Sequence, residues 1–305
     1  MMKIEQLRAR PEPELAAALA RFELQFRYPL GPGRWFRIDH GDDYPRFFRA
    51  IGEAACFVAV EGGEVLGTIG CARARLREPA GTTREVVYLG DLKLDPGARG
   101  GRVLLRLIEA VRGWAQPWTD AAFAVVMDGT AVTPERYTGR LGVPRFEALA
   151  HIEVMRVPAR AGTAARPGLA GPGMRPGFAL SPADPSTRSE LTPTWLALDD
   201  GRARGRLDDT RRAKRLFADD GSELASLHLG GLEYADADAA AELVGLGAAA
   251  AAAHGLAALF VAFPATLADA VHARLADDAI IRAPATIWGT GLPLGCEWNI
   301  DTAAI

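Results

Sequence analysis

The sequence predicts an α/β protein, a mixed α+β sheet carried in two units, the first complete and the second a shortened copy. Three observations carry this reading. Strand-like and helix-like apolar periodicities alternate along the chain. A stretch at 159–176, ARAGTAARPGLAGPGMRP, is rich in Gly, Ala and Pro and has no acidic residue and no periodic apolar positions. The order of elements on its two sides partly recurs. The expected organisation is therefore a first domain at 1–158, a linker at 159–176 and a second domain at 177–305. The 305 residues suffice for two cores, since a single core stops growing near ~250–300 residues.

Taken in order, Glu12–Arg27 places Leu15, Leu19, Phe22 and Phe26 on one helical face, and Tyr44–Ala54 reads as a second helix. Phe57–Val60 and Val65–Arg75 flank Glu61–Glu64, where Gly62 and Gly63 supply a hairpin turn. Val86–Leu94 is the next strand, and a helix is expected from about Arg102 to Ala115, with Leu104, Leu105, Leu107, Ile108 and Val111 facing a core. Ala121–Met127 reads as a buried strand, Thr133–Arg140 as a short helix and Phe146–Val157 as a final extended stretch. Beyond the linker the pattern predicts a strand at Glu223–Tyr234, a helix at Asp236–His254, a strand at Leu256–Phe263, a helix at Thr266–Ala276 and one or two strands within Ile280–Ile300.

Composition excludes several classes. The chain is 49% hydrophobic and 24% charged with a net charge of −3, which is ordinary for a soluble globular protein and gives no global attraction to nucleic acid or to an anionic membrane. The N-terminal segment lacks an apolar core and a cleavage site, so no secretory signal is read there. Cys56, Cys71 and Cys296 are too few for a disulfide framework, sit in apolar surroundings, and fit inert thiols in a reducing cytoplasm. The basic run Arg202–Arg215 is interleaved with Asp208 and Asp209 and has no aromatic platform, so it reads as a solvated helix with local ion pairs and not as a nucleic-acid surface. No Cys/His metal spacing is present. His40, alone among Asp39, Asp42 and Asp43, reads as part of a solvated loop, and no metal is expected.

The informative segment is Tyr88–Leu107, YLGDLKLDPGARGGRVLLRL. A strand ends at Leu94, Asp95 to Gly97 turn the chain, and Arg99–Arg102 open a helix. Backbone N–H groups and the positive end of a helix dipole then converge on one spot, which suits a phosphate or pyrophosphate. Neither G-x-x-x-x-G-K-[ST] nor G-x-G-x-x-G is present, so the loop is not a P-loop or a dinucleotide fingerprint.

The combination of this loop with the element order resembles the GNAT family of N-acetyltransferases. Leu92–Pro96 resembles the family's strand ending in V-x-P. Arg99–Leu104, RGGRVL, sits where the family has R/Q-x-x-G-x-G/A, and Tyr137–Gly142, YTGRLG, resembles its Y-x-x-L-G-F segment. The resemblance covers nearly all of residues 1–158 and implies the acyl-CoA N-acyltransferase fold, with the second half a degenerate copy. It implies that Leu92, Lys93 and Leu94 pair their backbone with the pantetheine arm of acetyl-CoA, and that Arg99, Gly100, Gly101, Arg102, Val103 and Leu104 wrap the pyrophosphate. It also implies that Tyr137 protonates the departing thiolate. Asp91 is the nearest carboxylate for a base, although alternation sets it opposite Leu92 and a salt bridge is an equal alternative. Arg102 and Leu104 replace two family glycines, and Gly90 stands where relatives often carry the base. The acceptor is expected to meet Arg27–Tyr44, where Trp35, Phe36 and Tyr44 offer aromatic walls and Asp39, Asp42 and Asp43 offer carboxylates. The implied activity is N-acetyl transfer to a small-molecule amine by a cytoplasmic enzyme with no nucleic-acid or membrane partner, a homodimer being the assembly considered. The alternative is a catalytically silent acyl-CoA-binding or regulatory protein.

Overall fold

The computed structural model describes residues 1–98, 102–140, 142–162, 167–168, 170–173 and 177–305. The chain begins with β1 (Lys3–Leu7) and α1 (Pro13–Glu23). This helix has Pro in its first turn, where the missing N–H costs nothing, and buries Ala18, Leu19 and Phe22. Next come β2 (Tyr28–Pro29), β3 (Trp35–Asp39) and α2 (Arg46–Ile51). β4 (Glu53–Glu61) and β5 (Glu64–Arg77) are joined at Gly62 and Gly63, whose φ values of 60° and 86° are both positive, as a tight hairpin turn requires. β6 (Thr83–Leu94), α3 (Arg102–Ala115), β7 (Ala122–Met127) and β8 (Glu147–Pro158) follow. The second half contains β9 (Phe178–Ser181), β10 (Thr194–Ala197), β11 (Ala203–Asp208), β12 (Arg215–Ala218), β13 (Ser226–Tyr234), α4 (Ala237–Ala253), β14 (Ala258–Pro264), α5 (Ala265–Leu275), β15 (Ile281–Thr290) and β16 (Trp298–Asn299).

One sheet runs through both halves in the order β1-β4-β5-β6-β7-β15-β8-β14-β13-β11-β10, with β9 and β16 attached beside β5. Its centre shows an internal pseudo-two-fold. β6 and β7 are parallel with α3 as the crossover, and β13 and β14 are parallel with α4 as the crossover. The last strands are exchanged: β15 lies between β7 and β8, and β8 lies between β15 and β14, all antiparallel. A second, three-stranded sheet also joins the halves, because β3 pairs both β2 and β12, with Ile38 opposite Leu216. The largest hydrophobic cluster accordingly mixes residues of both halves, with Trp298 wedged between Phe123 and Phe178 at ring separations of 5.1 and 4.7 Å.

Three expectations differ from the fold. The helix expected at Tyr44–Ala54 is shorter, since Pro45 precedes α2 and the chain turns extended at Gly52 to begin β4. The helix expected at Thr133–Arg140 is a single 3-10 turn at Pro134–Arg136. The run Arg202–Arg215 is not a solvated helix. Within it, Arg204 and Arg206 alternate with buried Ala203 and Leu207 along β11, and Asp208 and Asp209 are buried. Alternation at period two, the mark of a strand with one buried face, outweighs the local helix-type charge spacing there.

Candidate active site

The site is set by how β6 meets its neighbours. Along one edge β6 pairs with β5, but the register slips so that Asp91 and Leu92 together oppose Ile69, a β-bulge in which Asp91 adopts φ 55°. Asp tolerates this left-handed backbone better than most residues. Along the other edge β6 pairs with β7 at only three positions, Val87–Leu89 with Ala122–Ala124, and the strands then separate although both continue. A cavity of about 520 Å³ opens between them, lipped by Leu89–Leu92 on one side and Ala124–Met127 on the other. Consecutive residues of one strand point to opposite sheet faces, so a cavity lined by such runs opens on both faces. Ile108, Val111 and Arg112 of α3 bound it on one face, and Phe36, Phe48, Leu216 and Phe260 bound it on the other.

A buried charged cluster borders the bulge. Asp91 Oδ2 accepts from Tyr44 OH at 3.0 Å and Lys93 Nζ at 3.2 Å, and lies 3.2 Å from His40 Nε2. Lys93 Nζ also donates to Glu23 Oε1 at 2.9 Å, and His40 Nδ1 lies 2.7 Å from that same oxygen. Burial alone would raise the Asp91 carboxyl, but the charges of Lys93 and His40 and the hydrogen bonds from Lys93 and Tyr44 outweigh it and hold the group at about 2. Lys93 responds in the opposite sense. Burial pulls it down, and the surrounding Asp91, Tyr28, Tyr44 and Glu23 push it well above the ordinary lysine range. Glu23, His40 and Asp91 bring ligand atoms within 4.8 Å of one another, and the Lys93 ammonium takes the cation's position among them. His40 is thus buried and partnered, not part of a solvated loop as expected.

The expected site residues separate into groups. Asp91, Leu92 and Tyr137 line the same cavity. Tyr137 follows the 3-10 turn, and burial pushes its phenol up to about 12. The Lys93 side chain turns into the charged cluster, while its backbone pairs with Thr68 of β5. Leu94 packs with the α3 layer, Val103 is buried, Leu104 is partly buried and Arg102 is exposed. Arg99, Gly100 and Gly101 lie outside the described residues. Of the expected acceptor segment, Phe36 lines the cavity, Tyr44 is buried in the charged cluster, and Trp35 is exposed away from the lining. Its acids are engaged elsewhere: Asp39 accepts from the Gly41 N–H, Asp42 pairs with Arg10, and Asp43 pairs with Arg46 and Arg49.

Sequence reasoning missed the contribution of the second half. Lys214 and His228 line the cavity's inner end. Lys214 donates to the main-chain oxygen of Ile305 and sits 4.2 Å from the Phe47 ring centroid. Burial lowers its ammonium to about 7. His228 Nδ1 lies 3.0 Å from Thr302 Oγ1, and burial lowers the imidazole to about 3, so it is neutral at physiological pH.

No protein-family model matches the sequence, and no curated protein matches it. Solved structures do. N-myristoyltransferase of Saccharomyces cerevisiae with bound myristoyl-CoA superposes with a TM-score of 0.60 at 9% identity, covering 97% of this chain and 80% of that one. A second structure of that enzyme, with myristoyl-CoA and inhibitors, gives 0.59 at 9% identity, covering 97% and 82%. A tandem GNAT protein from the clavulanic acid biosynthesis pathway aligns at 0.49 with 13% identity, over 95% of this chain and 98% of that one. The chain therefore has the acyl-CoA N-acyltransferase fold. Its two parallel-strand crossovers and exchanged last strands make the arrangement a tandem one. No helix among the described residues is long and apolar enough to cross a membrane.

Proposed function

We propose that the chain is a CoA-dependent N-acyltransferase that moves an acetyl group from acetyl-CoA to the amine of a small molecule. The observation that carries this is the opening between β6 and β7. Among the described residues, 90–94 have no strand partner on their β7 side, and this backbone edge lies beside the N-terminal approach to α3. An extended amide chain such as pantetheine matches such an edge, because its N–H and C=O groups can replace those of a strand. Asp95 supports the turn beneath it by accepting from the Gly97 N–H at 2.7 Å. The Leu92–Leu94 edge would hold the arm and Arg99–Leu104 the pyrophosphate. A backbone amide near Leu94 would face the oxyanion formed when the amine attacks the thioester. Tyr137, kept protonated by burial, is the group that can give its proton to the leaving thiolate.

Titration calorimetry tests this: CoA should bind once per chain, and an Arg99→Glu/Arg102→Glu variant should lose it. Two equal sites, or unchanged binding in the variant, would remove the assignment. A second reading, a silent acyl-CoA-binding protein, has one observation in its favour. Asp91, the carboxylate nearest the opening, is engaged by three partners and held at about 2, which makes it a poor proton acceptor. CoA binding with no transfer to any member of an amine panel would favour that reading.

A further inference from the structure

We infer that the second half of the chain is the acceptor-recognition half, and that it selects a small amine carrying an apolar body, aliphatic or aromatic. The inference rests on the transfer reading above and adds the class of acceptor. The inner end of the cavity is walled by Phe36, Phe47 and Phe48 from the first half and by Leu216 and Phe260 from the second. Its fit is fixed by a strand from each half: Ile38 on β3 stands opposite Leu216 on β12, and Phe36 opposite Ala218.

The polar groups at this end are set against the aromatic wall. His40 and Lys214 lie 6.0 and 4.2 Å from the Phe47 ring, His228 stacks on Phe260 at 5.3 Å, and Asp91, Thr302 and Ile305 also line the space. Asp91 and His40 are already partnered. Lys214, however, gives one of its three N–H bonds to Ile305, and His228 uses one of its two ring nitrogens on Thr302. A long acyl chain filling the space would leave their remaining capacity against hydrocarbon, which is costly. An amine with an apolar body answers both kinds of surface, its nitrogen toward these polar groups and its body on the phenyl rings. A polyamine or an aminosugar would strip its own charges or hydroxyls of water against phenyl rings. The acids expected to attract a cationic amine, Asp39, Asp42 and Asp43, do not line the cavity and meet local partners instead.

The test is direct binding to the full chain saturated with CoA, read by calorimetry so that no turnover is needed. The probes are phenethylamine and hexylamine against spermidine and glucosamine, with decanoyl-CoA compared with acetyl-CoA on the CoA-free chain. The apolar amines should bind at least about tenfold tighter than the polar ones. Leu216→Asp should erase that preference while the Kd for CoA moves less than about twofold. If Leu216→Asp lowers the Tm steeply, Leu216→Thr gives the same readout with an uncharged change at this partly buried position. An equal or reversed ranking overturns the inference. So does decanoyl-CoA binding about tenfold tighter than acetyl-CoA with the gain lost in Leu216→Asp, which would give the space to the acyl chain. Failure of CoA itself to bind would instead overturn the transfer reading.

Discussion

The two parallel-strand crossovers have the same backbone and opposite contents. In the first, β6 runs Leu89-Gly90-Asp91-Leu92-Lys93-Leu94, bulges at Asp91 with φ 55°, and leaves β7 after Leu89. In the second, β13 runs Leu229-Gly230-Gly231-Leu232-Glu233-Tyr234, slips register against β11 around Gly231 with φ 59°, and leaves β14 after Leu229. Beyond the parting, the first opening is lined by Val126 and Leu92 and is a cavity. At the second, Phe263 and Tyr234 are buried with rings 5.9 Å apart, and the Asp301 carboxylate sits where a Cβ on Gly230 would fall, 2.2 Å from its Cγ. The helix ends differ too. The α4 N-terminus is capped by Asp236, which accepts from the Ala239 N–H, and carries Asp238 in its first turn. A helix end so capped and so acidic repels phosphate. A bulge and a splayed strand pair are therefore a backbone opportunity, and side-chain volume and helix-end charge decide whether a ligand can use it.

The largest effect is expected at Phe263. Phe263→Ala should cost about 3–5 kcal/mol in chemical denaturation, as for other buried aromatic truncations. CoA should still bind once per chain, since the acids at α4 remain. A second CoA site in this variant would show that volume alone closes the second opening.

The charged clusters beside the two bulges separate next. In the first, Asp91 is held at about 2. Its stabilising contribution is present above the unfolded value near ~4 and lost as pH falls toward 2. In the second, burial first and then the Asp301 charge raise Asp208 to about 6, against the pull of Arg188 and Arg206. Asp208 is therefore protonated longer in the folded chain than in the unfolded one, and stability is lost as pH rises from about 4 through 6. Relative to Asp208→Asn, the wild-type chain should lose on the order of 2 kcal/mol over that window. Parallel pH profiles for the two proteins would show that Asp208 titrates normally.

Val126→Phe makes the reciprocal change, because Val126 stands where the second half has Phe263, two residues past the last paired position. The ring should fill the first opening and weaken CoA by at least about tenfold, roughly 1.4 kcal/mol, with little change in Tm. Unaltered affinity would remove the opening as the pantetheine site. The smallest structural change is Tyr137→Phe, which removes one hydroxyl. With chemistry rate-limiting, kcat should fall about tenfold or more while the Kd for CoA holds. Burial raises the Tyr137 phenol to about 12, so the wild-type donor stays protonated through the alkaline assay range and the loss in the Phe variant should be uniform across it. An unchanged kcat would make Tyr137 a packing residue.

The alternation of elements, the hairpin at Gly62-Gly63, the helix beginning at Arg102 and the family resemblance around Leu92–Leu104 are legible in the amino-acid sequence. Each of these rests on local periodicity or turn chemistry within a few residues. The repeat of Leu-Gly-x-Leu at 89–92 and 229–232 was also there to be seen, a marker of the duplicated bulge. The remaining features depend on long-range pairing. The partners of His40 are 17 and 51 residues distant, Lys214 meets Ile305 91 residues on, and β15 enters between β7 and β8. No local pattern records such choices, because burial and charge pairing depend on which strands the whole chain brings together, and a lone His or Lys looks solvated until its neighbours arrive.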